Sequence, residues 1–170
     1  VKIGVLSDVH KRGELQLEAI DILRKNGAEF FIHAGDFSQL ANIESLHQNT
    51  PKYRAVFGNN DMHLLHQANG FEIYKEPHYF KVADTTFKLM HLPFYLSGDV
   101  DVVIFGHTHA FECEKKGNTL FLNPGEVCAR NKPLSEYAML EITSMGYDVT
   151  YFFKDLHTNK LQIKEFHYDK

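Results

Sequence analysis

Seven side chains able to bind a metal ion each follow closely on an apolar run of this chain. VKIGVLSDVH supplies Asp8 and His10, FFIHAGD supplies Asp36, and VFGNND supplies Asn59, followed by Asn60 and Asp61. FKLMH ends at His91, and VVIFGHTH delivers His107 and His109 with only Thr108 between them. Imidazole, carboxylate and amide oxygen are the donors that manganese, iron, cobalt, nickel and zinc accept. The set exceeds what one tetrahedral ion takes, so it suits two divalent ions sharing a carboxylate. Gly35, Gly58 and Gly106 stand beside these residues, where the backbone must turn sharply.

Strands must carry these donors. Apolar runs at residues 1–6, 29–33 and 53–57 read as strands, with helices expected over 14–26 and 41–48 and a short one over 61–68. On the first helix Leu15, Ala19, Ile22 and Leu23 form the buried face, and Gly27 stops it. This β-α-β-α-β order indicates a parallel layered start. Thereafter the chain reads as strands: two around a turn near Asp84, a core strand at 101–105, and a hairpin turning at Gly117-Asn118. Further strands are expected at 137–143, 147–153 and 161–167. In open α/β sheets ligands bind beyond the carboxyl ends of strands, where all seven donors lie. Asn123, Pro124 and Gly125 follow the hairpin in the same way.

Composition narrows the function. The 170 residues are 44% hydrophobic and 24% charged, which fits one domain over 1–170, with 144–170 as a C-terminal strand extension. Net charge is −4 with no basic stripe, so a nucleic-acid-coating surface is not expected. No stretch reads as a membrane span, and the start lacks a signal-peptide pattern, making the cytoplasm the default expectation. Cys113 and Cys128 are too few for a disulfide framework or a thiolate zinc site.

Taken in order, D-x-H at 8–10, G-D at 35–36, G-N-N at 58–60, His91 and G-H-T-H at 106–109 resemble the calcineurin-like metallophosphoesterase superfamily. The likeness is greatest to its small single-domain bacterial and archaeal phosphodiesterases, which share N-P-G. The resemblance implies a four-layer αββα sandwich of two mixed sheets. It implies that Asp8, His10, Asp36 and His109 hold one ion and that Asp36, Asn59, His91 and His107 hold the other, with Asp36 bridging. Asp36, Asn59 and His107 are carried over as residues of the reacting centre, with Asn60 and Arg12 as substrate contacts. The implied activity is hydrolysis of a phosphate ester, a diester first, by in-line attack of a hydroxide shared between the ions. Manganese is expected first, with nickel, iron, cobalt or zinc as alternatives. The expected partner is a small phosphorylated substrate.

Three departures from the family pattern carry consequences. Asn60 stands where strongly catalytic relatives place a histidine, and an amide cannot protonate a leaving group; His63 is the substitute to consider. Leu92-Pro93 follows His91 where relatives have glycine, which makes the second ion's geometry the less secure. Residues 92–100 are too few for a crossover helix, so one wall of the cleft should be low. The apolar Pro93–Leu96 segment could cover it or meet a second copy of the chain. These departures keep a second expectation open, a scaffold that retains the fold without catalysis. His33 is expected to pack behind the site; His47, His66, His78, His157 and His167 are expected at the surface, and Arg130 near phosphate.

Overall fold

Phe31 and Ile32 are adjacent and both wholly buried, so their strand must be covered on both faces. The computed structural model, which describes residues 1–170, shows how. Its elements in chain order are β1 (Lys2–Leu6), α1 (Gly13–Lys25), β2 (Phe30–His33), α2 (Leu40–Asn49), β3 (Tyr53–Val56), β4 (Ile73–Tyr74), β5 (His78–Val82), β6 (Thr85–Leu89), β7 (Val102–Ile104), β8 (Phe111–Lys116), β9 (Thr119–Pro124), β10 (Leu134–Ile142), β11 (Gly146–Asp155) and β12 (Lys160–Asp169). One sheet has the order β12-β11-β10-β1-β2-β3-β4, the other β5-β6-β7-β9-β8.

Phe31 joins Leu15, Ala19, Ile20 and Leu23 of α1 and Ile43 and Leu46 of α2 in a core beneath the helices. Ile32 joins Ile3, Val5, Phe87, Leu89, Ile104 and Leu122 in a second core between the sheets. Each such side chain contributes about 1.5–3 kcal/mol when fully buried. Both sheets are mixed. β1 through β4 run parallel, as do β6, β7 and β9, while β10 to β12 return antiparallel. The carboxyl ends of the parallel strands in both sheets meet at one rim. No helix is long and apolar enough to cross a membrane.

The two-sheet α/β sandwich is the one the family resemblance implies. No helix lies between β6 and β7: residues 92–100 form turns whose Ser97 and Asp99 bind the Lys88 ammonium on the outer face of the second sheet. That layer is irregular chain, as its length required. Three local expectations are corrected. Ile20 belongs to the buried face of α1, and Ile22 packs half-buried at its edge. The helix expected over 61–68 is only a 3-10 turn at Met62–Leu64, because Asp61 faces inward to other loops and does not cap it. β4 pairs beside β3 without having been foreseen, being two residues long.

Candidate metal centre

The loops beyond the strands are sewn together by their own backbone. Asp8 donates its N–H to Gly35 O, and the amides of Val9 and His10 both donate to Asp36 O. The amides of Val127 and Cys128 donate to Ser7 O and Asp8 O. Five of the seven sequence-designated donors take left-handed backbone: Asp8, His10, Asp36, His107 and His109, with φ between 51° and 69°. Non-glycine residues in that conformation cost about 1–2 kcal/mol each. Of the neighbouring glycines, Gly35 turns in the positive-φ region as expected, at 95°, whereas Gly58 and Gly106 do not. Gly106 is needed for close approach, since a Cβ there would sit 2.2 Å from Ser7 Oγ.

Asp8, His10, Asp36 and His109 converge. Asp8 Oδ2 accepts hydrogen bonds from Ser7 Oγ and His107 N, leaving Oδ1 free. That Oδ1 lies 3.2 Å from His109 Nε2, which is itself 3.4 Å from His10 Nε2. His10 Nε2 lies 3.6 Å from Asp36 Oδ2, and the same oxygen is 3.3 Å from His91 Nε2. Donors sharing one ion at bond lengths of about 2.0–2.2 Å stand roughly 3–3.5 Å apart, so these separations fit ion-sized gaps. On the far side, His107 Nδ1 and Asn59 Oδ1 are 3.2 Å apart, and the His107 ring meets the His91 ring edge-on at 5.2 Å. All seven side chains predicted from sequence are thus at one place, with Asp36 Oδ2 between two sets.

Two atoms say most about what the gap is for. Asp8 Oδ1 and His91 Nε2 are buried and have no hydrogen-bond partner. A buried polar atom without a partner is costly unless something else satisfies it. The other nitrogens of the buried imidazoles are occupied. His91 Nδ1 faces Ala34 O at 2.7 Å, His109 Nδ1 faces the Glu126 carboxylate, and His10 Nδ1 faces Ser38 Oγ. Each arrangement turns Nε2 toward the gap, as outer acceptors do for metal-binding histidines.

Sequence reasoning missed the supporting carboxylates. Glu126, wholly buried, accepts from His109 and from the amides of Asn131 and Lys132. Its signal was available, since FLNPGE places it after another strand. Asp61 accepts the amides of Asp36, Ser38 and Gly58, locking two donor loops together. Glu76 accepts the amides of His91 and Leu92, which fixes the backbone at His91 where the family pattern has glycine after it. Glu126→Gln should weaken divalent-ion affinity about 10–100-fold, checked by calorimetric titration of metal-stripped protein.

Other residues fall into place. Asn60 donates its backbone N–H to Asp36 Oδ1 and its side-chain amide to Oδ2, so it steadies the carboxylate from the wall of the cavity beside His10. Arg12 pairs with Glu14 and reaches Cys128 O, at the edge of a cavity beside His10. His63 is exposed on Ser38 O, and His33 is buried behind the site, stacked on Phe37. His78 is half-buried against Tyr74, not at the surface, whereas His47, His66, His157 and His167 are exposed.

The protonation pattern follows from this packing. Burial would raise the carboxyls, but His91 and Asn60 hold Asp36, and His109 and Ser7 hold Asp8, below the ordinary range. Asp8 and Glu126 push His109 up to about 10, while burial lowers His33 to about 3. A histidine whose folded pKa is raised stabilises the fold fully below its unfolded value and loses that contribution as pH rises. Metal-stripped protein should therefore lose thermal stability from about pH 6.5 toward about 10, a slope that His109→Asn flattens in melts across that range.

The sequence matches the calcineurin-like phosphoesterase superfamily domain over residues 1–145. Phosphodiesterase MJ0936 of Methanocaldococcus jannaschii is 33% identical over 160 residues, covering 86% of this chain and 96% of that one. An archaeal phosphodiesterase of solved structure superposes with a TM-score of 0.68 at 27% identity, over 98% of this chain and 100% of that one. Zinc-complexed Vps29 of Entamoeba histolytica superposes with a TM-score of 0.76 over 98% and 99% of the two chains, but at 20% identity it shares the fold alone. Matched over most of its length, with its donor residues gathered at one rim, the chain belongs to the calcineurin-like phosphoesterase superfamily.

Proposed function

We propose that this phosphoesterase-family chain is a two-metal phosphodiesterase acting on a small phosphorylated substrate. The observation that carries the reading is the pair of buried, partnerless donors, Asp8 Oδ1 and His91 Nε2, on side chains whose ligand atoms lie within 4.8 Å of each other and of the Asp36 carboxylate. Asp8, His10, Asp36 and His109 would hold one ion, and Asp36, Asn59, His91 and His107 the other. Manganese suits this mixture of carboxylate, amide and imidazole donors; iron, cobalt, nickel and zinc suit it too. When bound, such a pair supplies Lewis acidity that lowers the pKa of water and neutralises phosphoryl charge. Residues 1–170 act as one domain, because β10 to β12 extend the sheet that carries Asp8 and Asp36.

The chain's own part is positional. Asp36 presents one oxygen to both histidine sets, Asn60 holds that carboxylate, and Glu126 fixes His109. Neither of the side chains hydrogen-bonded to Asp36, Asn60 and Asp61, is a free acid. The Asn60 amide cannot protonate a leaving group, and Asp61 is occupied by backbone donors. The leaving alcohol must depart as its own anion. We expect p-nitrophenyl diesters to be cleaved at least about 100-fold faster than ethyl-leaving analogues, measured by kcat/KM at equal manganese.

The test is hydrolysis of bis(p-nitrophenyl) phosphate by metal-stripped protein, with manganese absent or restored. Manganese-dependent turnover supports the reading; two bound ions with no turnover of any ester would end it. That second outcome favours a scaffold, for which Phe94, Tyr95 and Leu96 offer a surface, being 74%, 52% and 45% exposed.

A further inference from the structure

Beside His10 and Asn60 opens a cavity of about 490 Å³ whose wall carries Lys11, Arg12 and Arg130. No acidic side chain lines it, although acidic residues outnumber Lys and Arg by 22 to 18 along the chain. Lys11 and Arg130 form no ion pair, while Arg12 shares its charge with the exposed Glu14 at 2.6 Å. An arriving anion therefore competes with one carboxylate for three cations. The 13-residue helix α1 begins here as well, and Arg12 at its N-cap makes no side-chain cap, so the positive end of the helix dipole adds to the field.

Arg130 is not on a loose tail. Its loop closes on Glu126, which accepts the amides of Asn131 and Lys132, and the amides of Val127 and Cys128 bind the Asp8 loop. A cation held on such a frame reads a ligand with less ordering cost than one on a free loop. The volume lies within the range of pockets for ligands up to nucleotide size, about 300–1,000 Å³.

We propose that the substrate carries a second anionic group, carboxylate or phosphate, on its non-leaving side, received by Lys11, Arg12 and Arg130. This rests on the phosphodiesterase reading and names its substrate class. The geometry places the scissile phosphate at Asp36 and the second anion in the cavity next to it.

The test compares three diesters with the same p-nitrophenyl leaving group and a neutral, a carboxylate-bearing or a phosphate-bearing aryl group on the other side. With manganese, kcat/KM for at least one anionic diester should exceed the neutral one by about tenfold, the sum of three surface charge contacts. The ratio should fall to about one in Arg130→Glu, and whichever anion shows the larger ratio identifies the source. A ratio near one in the unmodified protein, or one indifferent to Arg130→Glu, overturns the proposal even with diester hydrolysis intact. If no diester turns over, calorimetric titration of metal-free protein with inorganic diphosphate decides. Binding weakened about tenfold by Arg130→Glu supports the anion site, and equal affinity in both proteins overturns it.

Discussion

Asp36→Asn should lower the proposed manganese-dependent turnover of an activated aryl diester by about a thousandfold or more. The carboxylate is unusually constrained. Oδ2 lies 3.6 Å from His10 Nε2 and 3.3 Å from His91 Nε2, so one atom faces both sets of donors. Both oxygens also accept hydrogen bonds, Oδ1 from Asn60 N and Oδ2 from Asn60 Nδ2. The introduced amide nitrogen would meet a donor in either orientation, and the negative charge shared by two cations would be gone. Bound manganese should fall from two ions per chain to one or none, counted by elemental analysis after desalting. The variant should keep its far-ultraviolet circular dichroism, since the strands that carry the loop are packed independently of it. Unchanged turnover in this variant would remove Asp36 from the mechanism.

The second large effect is on stability. Asp61→Ala strips the acceptor from three amides: Asp36 N at 2.8 Å, Gly58 N at 2.8 Å and Ser38 N at 2.7 Å. Asp61 is wholly buried, so the orphaned donors meet little water. At about 1–3 kcal/mol for each unsatisfied donor, the loss should total about 3–5 kcal/mol after local relaxation. For a chain of this size that lowers Tm by about 10 °C. Asp61→Asn keeps the shape but offers a single acceptor oxygen, so it should recover only part of the loss. Calorimetric melts of metal-free protein separate these effects from ion binding. A Tm for Asp61→Ala within about 2 °C of the parent would refute the bracing role.

The candidate metal donors were readable in the sequence because each lies just beyond an apolar run, and strand ends are local features. Asp8 and His109 are far apart in the chain, yet each could be found from its own neighbours. The braces were not readable in that way. Asp61 and Glu76 look like ordinary acidic turn residues until the fold brings backbone amides to them from residues 36, 38, 58, 91 and 92. The left-handed strain was also misplaced. Glycine is the residue expected to absorb positive φ, and Gly35 does, but five donors adopt it as well while Gly106 makes room for Ser7. Packing and the stitched loops override local preference at such sites, and strain at a functional centre is where sequence rules fail first.

For the sandwich, continuous apolar runs told which strands need two covered faces, and helix-length patterns placed α1 and α2 to within a residue or so. The short 3-10 turn and β4 escaped because two or three residues hold too little periodicity to read. The absence of a helix between β6 and β7 followed from chain length alone. What covers the second sheet there, Lys88 pinned to Ser97 and Asp99, depends on pairings no local pattern encodes.

Whether two ions share Asp36 is read directly by anomalous diffraction from crystals grown with manganese. Two peaks about 3.5–4 Å apart are expected, one among Asp8, His10 and His109, the other among Asn59, His91 and His107, with Asp36 Oδ2 between them. A single peak, or ions bound away from Asp36, would contradict that sharing.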